Sequence, residues 1–187
     1  MKTVIKMLIT LSLIGVISGA LLSQISAWAE PKIEMHRKAV TEQAIYMVQP
    51  NAKDYQKVET VDFELYKVFD ESKNTIGYAL PFEGNGFQGK IRLMIGIKSD
   101  LKELVGLEIL EQVETPGLGT KVTEDPFTNQ FEELVAEPQI AWVKGAPPTK
   151  PNEIQAITGA TISSKSVVKI INDGLAKLRS AKEGGNL

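Results

Sequence analysis

Thr158-Gly159-Ala160-Thr161-Ile162-Ser163-Ser164 lies immediately before the last strongly periodic segment of the chain. Val167, Val168, Ile171, Leu175 and Leu178 then recur at helical spacing and predict a terminal helix with one apolar face. Ser163 or Ser164 is expected to cap it, and Lys177 and Arg179 suit its carboxyl end. Four hydroxyls and a glycine at a helix start offer free N–H groups and a positive dipole end to an anion, above all a phosphate. An ordinary cap, for which one Ser or Thr suffices, explains the same residues. On this stretch alone both readings stay open.

About forty residues upstream lies a second such stretch, Glu114-Thr115-Pro116-Gly117-Leu118-Gly119-Thr120. Pro116-Gly117 suits the central pair of a type II turn, and Gly119 permits a close backbone approach. Strands are expected before it. Val61 to Val68 alternates, Lys73-Asn74 supplies turn chemistry, and Thr75 to Leu80 returns as the second arm of a hairpin. Lys90 to Lys98 and Leu101 to Gln112 read as two further strands. Gly84-Asn85-Gly86-Phe87-Gln88-Gly89 matches GxGxxG in letters, but it joins two strands instead of opening a helix, so it is no dinucleotide fingerprint. Asp125-Pro126 opens a predicted helix to about Val135, and Pro147, Pro148 and Pro151 mark a loop. The pattern is α+β: a largely antiparallel sheet with flanking helices in one domain, expected over 61–187.

Toward the amino terminus, Met7 to Ala29 are 23 residues without a charge. As a helix they span about 35 Å, enough to cross a hydrocarbon core. Ala27-Trp28-Ala29 has the form of a signal-peptidase site, but the run is long for a signal core, which favours a retained anchor. The expected order is an arm over 1–6, a transmembrane helix over 7–29, and a linker with a helix (35–49) over 30–60. Gly15 and Gly19 are spaced to let a second helix approach. Lys2 and Lys6 precede the run while Lys32, Arg37 and Lys38 follow it, so charge alone does not orient the anchor.

Composition narrows the chemistry. The chain has 187 residues, net charge −2 and no cysteine. Disulfides, thiolate-held iron–sulfur clusters and Cys-ligated zinc are therefore excluded within it. His36 is the single histidine, in a polar stretch, which leaves no multi-His metal site. No basic stripe invites nucleic acid.

Taken together, E-T-P-G-L-G and T-G-A-T-x-S-S resemble the FMN-binding domain of the G subunit of Rnf-type electron transport complexes. The C subunit of sodium-translocating NADH:quinone oxidoreductase is a relative of it. The resemblance implies a single-pass protein of the cell (inner) membrane with its domain on the extracytoplasmic side. It implies FMN held covalently through its phosphate to Thr161, with Thr158, Gly159 and Ala160 lining the phosphate. Glu114, Thr115, Leu118, Gly119 and Thr120 then approach the flavin, and Lys144 is a nearby cation. A separate flavin transferase, using FAD and magnesium, would attach the group. The other partners implied are further subunits of a membrane complex that couples electron transfer to ion movement, and no independent catalysis is expected of this chain. Where the family usually has Asp or Asn three residues before the S/T of S/T-G-A-T, this chain has Gln155. Two other readings are a stand-alone exported FMN electron relay and an assembly subunit with a vestigial flavin site.

Overall fold

Five strands in sequence order, each antiparallel to the next, make the central sheet: β1 (Asp54–Lys57), β2 (Tyr66–Phe69), β3 (Thr75–Asn85), β4 (Lys90–Lys98) and β5 (Leu104–Gln112). The computed structural model describes residues 2–187. Alternation along the middle strands divides the core in two. Tyr78, Leu80, Leu93, Ile95 and Ile97 belong to a larger cluster with the terminal helix α3 (Thr161–Glu183), through Val167, Val168, Ile171, Leu175 and Leu178. Ala79 and Met94 lie in a separate cluster with Val68, Ala44, Ile45 and Val48. Both faces of β4 are therefore covered, which is why KIRLMIGIK is apolar almost throughout.

The amino-terminal helix α1 runs Lys2–Val48 with Pro31 inside it. By length and composition it is the one helix among the described residues long and apolar enough to cross a membrane. The chain divides into two compact units, one ending at Val40 and the other spanning Thr41–Leu187. In the first, apolar side chains such as Leu8, Leu13, Leu22 and Trp28 are exposed. In the second, the helix end sits against glycines of the sheet. A Cβ on Gly96 would lie 2.2 Å from the Val48 carbonyl oxygen, and one on Gly106 would lie 3.3 Å from the Val48 Cα. Buried Gln49 completes the seam, its side-chain amide donating to the carbonyls of Tyr78 and Ile97, each at 3.1 Å. Arg92 adds a bond to the Thr41 hydroxyl at 2.9 Å. The stretch expected as a linker over 30–60 thus supplies a core-forming helix end and the edge strand β1.

Three local expectations need correction. The strand expected over Val61–Val68 forms only from Tyr66. Val61, Phe63 and Leu65 go to the larger cluster and Val68 to the smaller, as strand alternation would have it, but the ladders with β1 and β3 begin only at Tyr66, which pairs with Lys57 and Ala79. The helix expected from Asp125 to Val135 stops as α2 (Asp125–Thr128), followed by one 3₁₀ turn, Asn129–Phe131. The chain is diverted to bond the start of β5: the Leu104 N–H donates to the Leu134 carbonyl and the Ala136 N–H to that of Lys102. Finally, neither Ser163 nor Ser164 caps α3. The cap position is Ala160, which makes no side-chain cap bond, and both serines lie within the helix. The Pro-rich loop joins β6 (Ala141–Val143) to β7 (Glu153–Gln155), a parallel pair that no period-2 pattern announces in three-residue strands.

Candidate functional site

The two quoted stretches fold into turns of the same kind, and the turns touch. In the first, the Leu118 N–H donates to the Thr115 carbonyl at 3.2 Å across Pro116 and Gly117, with Gly117 at φ +72°. In the second, the Ala160 N–H donates to the Ile157 carbonyl at 3.0 Å across Thr158 and Gly159, with Gly159 at φ +86°. Each places its glycine where a left-handed backbone is required. A Cβ on Gly159 would lie 3.4 Å from Cδ2 of Leu118. Thr120 braces the first turn, its hydroxyl accepting from the Gly117 N–H at 2.9 Å.

Glu114 ties these turns together. It is 4% exposed, and Oε1 accepts from the backbone N–H groups of Phe87 (2.8 Å) and Gln88 (3.0 Å) in the β3–β4 turn. Oε2 accepts from the Ser163 hydroxyl in the first turn of α3. Gly119 lets this happen, since a Cβ there would come within 2.9 Å of both Glu114 Oε2 and Ser163 Oγ. Three loops far apart in sequence are thereby held on one carboxylate. Ser164 secures the turn from below, accepting from the Ile157 N–H and donating to the Ala160 carbonyl, both at 3.0 Å.

Thr161 is the first residue of α3 and half-buried. Thr158 and Gly159 beside it are exposed, and Ala160 is buried. Thr115 and Thr120 are half-buried, Gly119 is buried, and Leu118 is exposed. Lys144 stands exposed just after β6, whose last residue pairs with Gln155. Sequence reasoning missed several participants. Lys121 is one, lining a cavity of about 280 Å³ together with Thr158, which the sequence reading did name. The Gln130 side chain pairs with the backbone of Gln155, accepting its N–H at 2.7 Å and donating to its carbonyl at 3.3 Å. Gln130 has no motif to announce it. Ser163 was legible only as a cap, because its bond to Glu114 spans 49 residues.

Comparison with known proteins falls on this region. The model of the FMN-binding domain matches residues 86–176, which takes in all three loops and most of α3. The chain is 30% identical over 98% of its length to the G subunit of the ion-translocating oxidoreductase complex of Methanosarcina acetivorans, covering 98% of that protein. It is 29% identical over 91% of its length to the G subunit of the Na(+)-translocating ferredoxin:NAD(+) oxidoreductase complex of Acetobacterium woodii, covering 89% of it. Among solved structures, NqrC of Shewanella oneidensis shares the fold at TM-score 0.57 and 20% identity, over 68% of this chain and 67% of that one.

Fold and turns together define an FMN-binding-domain protein carried behind a long apolar helix. More particularly, the chain belongs to the G-subunit family of Rnf-type ion-translocating oxidoreductase complexes.

The residues present fit the flavin. A 23-residue helix begins without a side-chain cap, leaving its first N–H groups and dipole end for a phosphate. A hydroxyl sits at that first residue, exposed Ile162 follows it and exposed Leu118 meets Gly159 before it, apolar surface suited to a planar ring.

Proposed function

We propose that this chain is a membrane-anchored flavoprotein subunit that carries FMN as a phosphate ester on Thr161 and passes electrons within an ion-translocating complex. The observation that carries the reading is half-buried Thr161 at the uncapped start of α3, directly after a glycine turn that touches the other glycine turn. FMN supplies reversible electron transfer, and the ester leaves its ring system unmodified. The work of the chain's own residues is positional. Thr158, Gly159 and Ala160 shape the phosphate end, Leu118 and Ile162 offer apolar cover, and Glu114 with Ser163 and Gly119 fixes the loops that carry them. Lys121, which lines one cavity with Thr158, supplies a cation, with Lys144 a second.

A hydroxyl does not displace phosphate unaided near neutral pH, so a separate flavin transferase with a metal makes the bond, the Thr161 oxygen losing its proton and taking the FMN phosphate from FAD as the pyrophosphate breaks and AMP leaves. The domain is assigned to the extracytoplasmic side, with further subunits of the complex as electron donor and acceptor. The chain has no catalysis of its own.

The test is Thr161→Ala, expressed beside the family's flavin transferase. It should remove the fluorescent flavin band from a denaturing gel and lower the intact mass by the FMN increment, while the fold persists. Thr161→Ser should keep part of the band, since the attacking oxygen survives. A band that stays fluorescent in Thr161→Ala would sink the assignment.

A further inference from the structure

The donors that hold the Glu114 carboxylate are all neutral: the N–H groups of Phe87 and Gln88 and the hydroxyl of Ser163. Among the described residues no cation pairs with it. Burying a charge without a counter-charge is costly, and Glu114 is 4% exposed. A glutamine could accept from the same two N–H groups and donate to Ser163, so holding the loops does not require the charge. The charge also lies at the flavin site. Ser163 shares the first turn of α3 with Thr161, and Leu118, on the turn that follows Glu114, meets Gly159. Other charges around these loops differ in kind. Lys121, Lys144 and Lys165 are exposed, with Lys165 over the Trp142 ring at 5.0 Å. At the strand ends Lys90 pairs with Glu83, and Glu111 with Arg92. Water screens exposed charges strongly and a buried one weakly, so Glu114 dominates the field at the site.

We propose that Glu114 is a redox-tuning residue, whose buried negative charge holds the reduced flavin in its neutral, doubly protonated form. The proposal rests on the reading that FMN is esterified to Thr161. Full reduction of the ring takes two electrons from a donor subunit and two protons from water, giving FMNH2. Loss of the proton on N1 then leaves the anion FMNH−, its charge spread over N1 and the neighbouring carbonyl oxygen. A fixed negative charge close by disfavours that anion and so opposes loss of the proton. Electron transfer through the site is thereby kept coupled to proton uptake.

The test is the midpoint potential of the flavin as a function of pH, by spectroelectrochemical titration of the full flavin-loaded chain in detergent. The midpoint falls with pH along two limbs, and the slope halves where FMNH2 begins to lose its proton. Glu114→Gln keeps an oxygen for both N–H groups and removes the charge. It should move that break down by about one pH unit, a tenfold gain in the acidity of the reduced flavin. On the alkaline limb the midpoint should rise to match, by about 30 mV for a two-electron couple. Ser163→Ala removes a bond from the same clamp but leaves the charge, so its break should stay where the parent has it.

An unmoved or raised break in Glu114→Gln would overturn the proposal. So would an equal shift in Ser163→Ala, which would assign the effect to looser loops. The fluorescent band on a denaturing gel reports attachment in each chain separately. Its loss in Glu114→Gln alone would also overturn the proposal, by giving Glu114 a part in attachment. Its absence from the parent would overturn the Thr161 reading itself, so the two readings fail in different measurements.

Discussion

Glu114 concentrates more of the site's geometry than any other side chain. Its two oxygens take three donors from two loops, and it is nearly out of water. Glu114→Ala would leave the Phe87 and Gln88 N–H groups and the Ser163 hydroxyl without their acceptor, a loss of about 3 kcal/mol in unfolding free energy. Glu114→Gln keeps an oxygen for the two N–H groups and turns an amide toward Ser163, so it should cost clearly less. Denaturant titration of the two variants beside the parent checks both, and an Ala variant as stable as the parent would show that the clamp is incidental. The sequence exposes Glu114 as part of a turn motif but not as a clamp, because its partners are 26 to 49 residues away. The place of Thr161 at a helix start was legible for the opposite reason, since the glycine, the hydroxyls and the periodic run are all local signals. Gln130 was invisible, since a lone glutamine that mimics a strand edge carries no pattern.

At the scale of elements, the long strands β3, β4 and β5 were readable because their apolar residues alternate or run together. β1 was not, because Asp-Tyr-Gln-Lys is a mostly exposed edge with no buried parity to show. Likewise β6 and β7 are held by tertiary contacts and by Glu153, which accepts from the Thr149 N–H (3.1 Å) and hydroxyl (3.2 Å) and from the Lys150 N–H (3.3 Å). The Thr149 backbone bond, foremost, holds the Glu153 carboxyl below its ordinary value of 4.5. A depressed folded value means that the bonds contribute fully above the unfolded value and are lost as pH falls through the folded one. Amide exchange across 144–152, corrected for its intrinsic pH dependence, should therefore stay slow down to about 4.5 and accelerate only below it. Glu153→Ala, which removes the acceptor, should exchange fast at every pH. A loop that loosens well above the ordinary glutamate value would need another titrating group.

For the whole molecule, the boundary between anchor and domain lies within a helix. Thr41–Val48 contributes Ala44, Ile45 and Val48 to the smaller core cluster, and Gln49 bonds two strands. A soluble fragment beginning at Thr41 should fold cooperatively. One beginning at Asn51, although it keeps every strand and the whole stretch that matches the FMN-binding domain, should expose Val68, Ala79 and Met94 and aggregate. Equal yield and equal melting temperature for the two fragments would show that the helix end only rests on the sheet. Periodicity did reveal a helix here, over 35–49. What it could not reveal was that Gly96 and Gly106 reserve space for it, since an empty position carries no hydrophobic signal.

That reserved space has an evolutionary reading. The Val48 carbonyl occupies room that exists only because two strand residues lack a side chain, so the fit depends on shape and on nothing chemical. Positions 48, 96 and 106 should consequently drift as a set: a lineage that gains a methyl at 96 must also shift or shorten its helix end. Such correlated change would trace descent independently of the flavin motif, and would persist in descendants that had lost the cofactor.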